Sequence, residues 1–401
     1  MIPTLIVIAY ILVFLEFLIL TGAFRFGRRE RKRSARRADY APRAAILSPH
    51  YGWDDQTERN ARFLLAQDYP GDWEVVFITH KRDGETPDPS YEPLRALAAE
   101  HGRARVLLAS NIVDNKLDRS QKVENLLTAV HALDPEVEVL AFVDADSRVR
   151  PDWLVNLVQP LQEDRVGATV GARYYVPHTR NLATLVESVW INIQLLWQGD
   201  HPRGMVWGGS NAMRRELFER ADVAGRWENA PFEDHHLTNA VRDLGRIVHF
   251  APEVIVVTEM FERSWAQVLE FTNRQIIVTY RMGLKTPWAL ILLMYLPKAL
   301  IVMGLGAVYW NYPPYLLAIA GIPLIDVTMC FASFWLLPRW LRREPKVLGS
   351  HILASLLCPL SMLVAIINAL NALFRSEIVW GGVRYVIPSA TECRVVGRET
   401  K

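Results

Sequence analysis

Cysteine is scarce in this chain. There are three, Cys330, Cys358 and Cys393, with no Cys-x-x-Cys pair and no Cys/His cluster. A small disulfide scaffold is therefore excluded and a structural zinc site is not implied, and the pattern suits a reducing compartment. No Gly-x-Gly-x-x-Gly follows the first short apolar run, which disfavours a dinucleotide-dependent oxidoreductase. Charge is lacking only in places: windows 1–24, 287–338 and 347–374 hold just Glu16, Lys298 and Asp326, although 22% of the 401 residues are charged. The polar stretch between these windows excludes a transporter, and the windows exclude a fully soluble protein.

The first window is long enough to cross about 30 Å of hydrocarbon. No small-residue cleavage site follows it, so an uncleaved anchor is expected. Eight basic residues fall within Arg25–Arg37, with Glu30 the only acidic residue among them. This run reads as a membrane address that stays cytosolic and attracts anionic headgroups at 25–37, rather than as a nucleic-acid-binding arm. Segments 287–310 and 313–338 read as a helical hairpin turning at Asn311-Tyr312. The basic loop Arg339, Arg342, Arg343 and Lys346 follows. Segment 347–374 carries Pro359 near its middle, and the tail beyond it is basic. A simple count of spans conflicts with that charge, so a broken or re-entrant segment, or a further crossing, is expected. Lys298 and Asp326 lie at matching depth in adjacent spans and are expected to pair.

From Pro42 to about Glu262, short apolar runs alternate with helical stretches. Strands are expected at Ala44–Leu47, Glu74–Ile78, Arg105–Leu108, Val139–Val143, Ala168–Val170 and Val254–Val257. Helices are expected at Thr57–Gln67, Tyr91–His101, Gln121–Leu133 and Pro151–Leu161. This alternation predicts a mostly parallel α/β sheet, with chemistry at the carboxyl ends of its strands. Two amphipathic stretches, Ser264–Thr272 and Arg274–Met282, mix aromatic residues with arginine and are expected to lie in the membrane interface.

Asp144 and Asp146, separated by Ala145, follow the apolar run Val139–Val143. Two carboxylates at a strand tip make a hard oxygen cluster suited to Mg²⁺ or Mn²⁺ held against a diphosphate. By itself Asp-x-Asp is common in loops. Lys122 and Asn125 open a helix, where Lys122 suits a phosphate, although a solvated helix start is equally compatible. Trp207-Gly208-Gly209-Ser210 is a bend that would let a backbone approach a ligand closely, or a plain turn. Glu233 and Asp234 precede His235 and His236. A carboxylate here suits general-base work on a hydroxyl, whereas adjacent histidines on a helix cannot both face one site and read as packing.

In this order the motifs resemble those of membrane-bound family 2 glycosyltransferases with a GT-A fold, and among them the bacterial relatives of ceramide glucosyltransferases. The resemblance runs from Ala44 to about Tyr385. It implies that Ser48-Pro49-His50-Tyr51-Gly52 is the opening loop under the nucleotide base, with Pro49 touching the donor. It also implies that Asp83 binds nucleotide, that Lys122 and Asn125 attend the diphosphate, that Asp144 and Asp146 hold the metal, and that Asp234 is the catalytic base. Trp207, Gly208, Gly209, Ser210 and Glu233 fall on the acceptor side, as do Arg274, Gln275 and Arg281 of the interfacial motif and Trp380 of the closing motif. The run Thr79-His80-Lys81-Arg82 departs from the family pattern, and the superfamily's Q/RxxRW motif has only a loose counterpart.

The implied architecture is an anchor at 1–24, a basic linker at 25–41 and a Rossmann-like GT-A domain at 42–262. Interfacial helices follow at 263–286, then a transmembrane region at 287–374 and a tail at 375–401. The implied activity is metal-dependent, inverting transfer of a single sugar, with UDP-sugar as donor and a bilayer lipid (ceramide, diacylglycerol or hopanoid) as acceptor. The implied location is the cytosolic face of a bacterial inner membrane. A processive polysaccharide synthase and a non-enzymatic receptor with a Rossmann-like domain are the alternatives.

Overall fold

The structure is a computed structural model describing residues 2–34, 40–83, 86–197, 204–283, 285–389 and 392–398, with side chains at 27–34, 83, 196–197 and 287 not described. The strands in chain order are β1 (Ala44–Pro49), β2 (Trp73–Asp83), β3 (Thr86–Pro87), β4 (Ala104–Ala109), β5 (Val139–Val143), β6 (Val166–Val170), β7 (Arg173–Pro177), β8 (Ser210–Arg214), β9 (Ile247–Phe250), β10 (Val256–Met260), β11 (Glu377–Trp380), β12 (Val383–Ser389) and β13 (Glu392–Arg398). The chain divides into two compact units, one of residues 30–173, 199–258 and 377–401, the other of residues 1–29, 174–198 and 259–376.

The first unit is built on an eight-stranded sheet of order β3-β2-β1-β5-β8-β6-β9, with β4 added beside β2. The pairings β1–β2, β1–β5, β2–β4 and β6–β9 are parallel. Strand β8 runs antiparallel between β5 and β6. Every residue of β5 and β6 is buried, which is why these strands read as continuous apolar runs rather than alternating ones. The mostly parallel α/β class expected from the alternation is the one observed. Strands β8 and β9 escaped that reading: each is short, and neither carries an unbroken apolar run.

Local chemistry sets the helix starts. Asp54 accepts a 2.7 Å hydrogen bond from Thr57 N ahead of the helix Asp55–Leu65. Ser120 accepts from Val123 N at 3.2 Å ahead of Gln121–His131. Each satisfies an amide that the first helical turn would leave orphaned. Trp153, 1% exposed, sits in the apolar core, and its indole N–H donates to Ser210 Oγ at 2.9 Å.

Residues 377–389 and 392–398, expected as a tail, form a three-stranded antiparallel sheet, β11-β12-β13. The signal was present in the sequence: Gly381 and Gly382 take φ of 59° and 73° between β11 and β12, the left-handed pair a tight hairpin demands. This sheet belongs to the α/β unit. Val395 N donates to Asp118 Oδ1 at 3.1 Å, and Arg398 donates to Arg82 O at 2.7 Å and to Asp114 Oδ1 at 3.1 Å.

The second unit is helical and apolar. Among the described residues, three helices are long and apolar enough to cross a membrane: Ile2–Phe26, Trp288–Val308 and Pro313–Leu336. A fourth candidate, Val347–Leu356 with Cys358–Phe374, is bent by 66°. Pro359 stands at the start of its second half, where it removes a helical donor and disfavours helix in the residue before it. Of the resolutions left open for the tail's charge, a broken or re-entrant segment is the one observed. Large apolar side chains such as Leu300, Leu317 and Leu324 are exposed on these helices, as lipid-facing residues are. The two expected interfacial stretches are one continuous helix, Trp265–Arg281, started by a capping box in which Ser264 and Gln267 bond each other's backbone amides. Of the basic run at 25–37, Arg25 is exposed and the side chains from residue 27 onward lie outside the described residues.

The expected Lys298–Asp326 pair is part of a larger cluster. Lys298 Nζ lies 2.9 Å from Asp326 Oδ1 and 2.6 Å from Glu16 Oε1, so all three charges of the apolar windows meet. Matching depths suggested two members; the third comes from a helix far away in sequence. Replacing Lys298 by methionine would leave two buried carboxylates facing each other, so Lys298→Met should lower stability by about 3–5 kcal/mol. Thermal unfolding in detergent micelles checks this, and a melting temperature unchanged from the parent protein would contradict it.

Candidate active site

Strand β5 ends at Val143 in the middle of the sheet, and Asp144 and Asp146 sit on the loop it feeds. That loop is pinned from several sides. Asn60 donates to Ala145 O at 3.0 Å, Thr258 donates to Asp146 O at 3.1 Å, and Ser147 N closes a turn on Asp144 O at 3.0 Å. The acidic pair is thus held by a helix, by β10 and by its own turn.

Five charged side chains meet there in alternating sign. Arg173 donates to Asp146 Oδ2 at 2.9 Å and to Asp144 Oδ2 at 2.6 Å. Lys122 Nζ lies 2.6 Å from Asp144 Oδ1 and 2.5 Å from Glu233 Oε1. Burial pushes the Lys122 ammonium toward deprotonation, but Asp144 and Glu233 outweigh it and raise its pKa. Burial likewise lifts Asp144, yet Lys122 and Arg173 bring it below the usual carboxylate range. Glu233 is raised, chiefly by burial, with Lys122 opposing. Gly208 lies against this chain: a Cβ there would collide with Glu233 Oε1 and reach 3.0 Å from Lys122 Nζ. The Arg173 guanidinium stacks on the Trp207 ring at 4.8 Å.

Asp234 stands on the first turn of the helix Glu233–Asp243. His235 Nδ1 lies 2.6 Å from Asp234 Oδ1 and His235 N donates to the same oxygen at 2.8 Å. An ionised carboxylate has no proton to give, so Nδ1 carries it. Burial raises the Asp234 carboxyl, but His235, followed by Lys122, outweighs that and holds it below the ordinary value. A carboxylate near an ammonium and an imidazole therefore stays ionised at neutral pH.

The expected site residues divide accordingly. Lys122, Asp144, Asp146, Glu233, Trp207 and Gly208 come together, with Asp234 beside them. Asn125 Oδ1 accepts from Gln121 Nε2 at 3.0 Å and is buried. Ser210 is fully buried, its hydroxyl spent between the Trp153 indole and Val254 O. Gly209 O meets Asp144 N at 3.4 Å. Pro49 ends β1. Trp380 stacks on Phe232, with ring centroids 4.9 Å apart. The side chain of Asp83 lies outside the described residues. Arg274, Gln275 and Arg281 belong to the helical unit, where Arg281 donates to Arg375 O at 2.9 Å and Gln275 O accepts from Thr279. Two participants escaped the sequence reading. Arg173 carries no motif, and its signal was only a lone arginine opening an aromatic strand. His235 read as packing, but its ring orients Asp234.

Among the described residues no group of three or more His, Cys, Asp or Glu is placed to hold a divalent metal alone. Both Asp144 oxygens are engaged, whereas Asp146 bonds Arg173 through Oδ2 and its side chain is 51% exposed. One or two carboxylates completed by phosphate oxygens and water is the ordinary setting for Mg²⁺ or Mn²⁺ on a diphosphate, and the residues fit that arrangement.

An α/β sheet carrying such a site, in a chain with several membrane-length apolar helices, defines a membrane-associated α/β protein with an anion- and metal-compatible acidic centre. The chain belongs to glycosyl transferase family 21, whose family model matches residues 4–392. Two curated relatives, beta-monoglucosyldiacylglycerol synthases of Trichormus variabilis and of a Nostoc species, are each 25% identical over 310 residues. Those matches cover 71% of this chain and only 62% of each relative. A solved mannosyltransferase from Pyrobaculum calidifontis, in complex with GDP-Man and Mn²⁺, is 19% identical with a TM-score of 0.45, over 91% of this chain and 99% of its own.

The buried histidines of this unit make its stability pH-dependent. Burial depresses His50 to about 3, with Asp88 opposing, and depresses His80 and His236 to about 4. The unfolded chain takes up these protons below the ordinary histidine value of 6.5, while the folded chain resists. Stability is thus full above pH 6.5 and falls progressively toward pH 4. Melting temperatures measured from pH 8 to pH 4.5 should decline below about pH 6.5, and His50→Gln should flatten the decline.

Proposed function

We propose that this protein is an inverting, metal-dependent glycosyltransferase that moves one sugar, glucose, from a UDP-sugar to a lipid hydroxyl of the diacylglycerol type. The names of the two relatives favour that acceptor over ceramide or a hopanoid. The observation that carries the reading is the shared ammonium of Lys122, which joins the acidic pair after β5 to Glu233, the residue beside Asp234. The receptor alternative has no need of such convergence.

In this reading Lys122 supplies positive charge to the diphosphate. Asp234, ionised and oriented by His235, takes the proton of the acceptor hydroxyl as that oxygen attacks the anomeric carbon. The requirement is hydrogen-bond reach on the face opposite the leaving group. Asp146, with Asp144 beside it, would hold Mg²⁺ or Mn²⁺, and the bound ion supplies Lewis-acid stabilisation of the departing phosphate. Gly208 keeps the backbone close enough for Lys122 and Glu233 to pair. Trp207, Gly209, Ser210 and Trp380 shape the acceptor side, Pro49 and Asp83 serve the nucleoside, and Asn125 supports the helix turn carrying Lys122. Arg274, Gln275 and Arg281 attend the lipid. The basic segment 25–37 attracts anionic lipids, and the catalytic domain faces the cytoplasm of a bacterial inner membrane.

Incubating the purified protein with a panel of UDP-sugars and bacterial lipid extract, followed by mass spectrometry, should yield a diacylglycerol heavier by one hexose. Products of graded length would instead indicate a processive synthase. Asp234→Asn should keep UDP-sugar binding and lose about 10²–10⁴-fold in transfer rate, and undiminished transfer would remove the base assignment. Asp146→Ala should abolish the Mn²⁺-dependent part of UDP binding, measured by calorimetry with and without chelator.

A further inference from the structure

We infer that Arg173 is an internal counter-ion that competes with a divalent cation for Asp144 and Asp146, so that cation and nucleoside diphosphate bind cooperatively. The inference rests on the donor reading proposed above and extends it to a residue that no motif singles out.

The geometry is specific to this arginine. Its planar fork spans both carboxylates of the acidic pair, one nitrogen on each, at 2.6 and 2.9 Å. Lys122 reaches only Asp144 of that pair and turns its remaining charge to Glu233. The fork is held in place from below and from the side. Arg173 follows Gly171 and Ala172, whose backbones are bonded by Gly171 N to Ser210 O at 2.8 Å and by Val256 N to Ala172 O at 2.9 Å. Its guanidinium lies on the Trp207 face, and its side chain is 12% exposed.

Charge counting gives the consequence. Three carboxylates, Asp144, Asp146 and Glu233, share two cations, Lys122 and Arg173. A divalent cation approaching the acidic pair meets carboxylate oxygens already engaged by a guanidinium. Displacing that largely buried guanidinium strands a charge unless another anion takes it. A diphosphate is such an anion, and its oxygens match the guanidinium fork as well as a carboxylate does. The exchange is therefore concerted in its energetics: the acidic pair passes from arginine to metal as the arginine passes from carboxylate to phosphate. By linkage, each ligand raises the affinity for the other by the same factor.

The test is Mn²⁺ titration of the full chain in detergent, with free Mn²⁺ read by electron paramagnetic resonance, in the absence and presence of UDP. For the parent protein UDP should tighten Mn²⁺ binding about tenfold or more. Arg173→Ala should bind Mn²⁺ alone about tenfold more tightly than the parent, and the gain on adding UDP should shrink toward nothing. Arg173→Lys keeps the charge but lacks the fork, so it should fall between the two; it also serves if the alanine variant fails to fold. Mn²⁺ binding no tighter in the variants than in the parent, with the UDP effect intact, would overturn the role of Arg173 and leave the donor reading standing. Absence of Mn²⁺ binding by every protein, even with UDP, would overturn the donor reading and this inference with it.

Discussion

The α/β unit depends on one constraint: carboxylates collected at the tip of a buried strand must be matched by cations. Three acidic side chains crowd the end of β5, and two cations, Lys122 and Arg173, alternate with them. An unpaired charge there would face a steep desolvation cost. Paired, the same charges form a preorganised cluster whose partners can be exchanged for those of an ionic ligand. The surrounding fold serves that pairing. Asn60 and Thr258 fix the acidic loop, Gly208 leaves room for Lys122 to reach Glu233, and the helix bearing Glu233 brings Asp234 and His235 alongside.

The helical unit solves the same problem in a more apolar setting. Glu16, Lys298 and Asp326 are the only charges of their windows and they converge on the Lys298 ammonium. In the acidic cluster of the α/β unit the excess of carboxylate suits an incoming cation. Among membrane-length helices, the pairing joins the adjacent helices of Lys298 and Asp326 to a third that is 282 residues from Lys298 in sequence.

Much of the architecture was legible because it rests on periodicity and local chemistry. The parallel strands β1, β2 and β5 read as apolar runs because both of their faces are covered, whereas the half-buried β4 reads as one from its Val106-Leu107-Leu108 run. The break at Pro359 followed from proline's missing donor together with a charge conflict. Other features were illegible for equally physical reasons. Strand β8 is antiparallel and enters the sheet between β5 and β6, an insertion that no local pattern announces. The C-terminal strands mix apolar and charged residues without a sustained run or a strict alternation, so local pattern concealed them, although the Gly381-Gly382 turn was visible. The break at Asn273 between two interfacial stretches does not exist, because a single asparagine does not end a helix that is capped at Ser264 and continues to Arg281.

At the site, the sequence alone determined the chemistry on offer: an acidic pair after a strand, a lysine opening a helix, and a glutamate–aspartate step before two histidines. Spacing within each motif is a local property, so the residue types and their elements could be read directly. Which charge answers which was decided only by tertiary structure. Arg173 and His235 acquire their roles because folding places a guanidinium across two carboxylates and an imidazole N–H on a third. The same folding turns Ser210 inward to the Trp153 indole and adds Glu16 to the Lys298 pair. Apart from the contact between the neighbours Asp234 and His235, such pairings are set by desolvation cost and by contacts far apart in the chain, and neither can be read from residues close together in sequence.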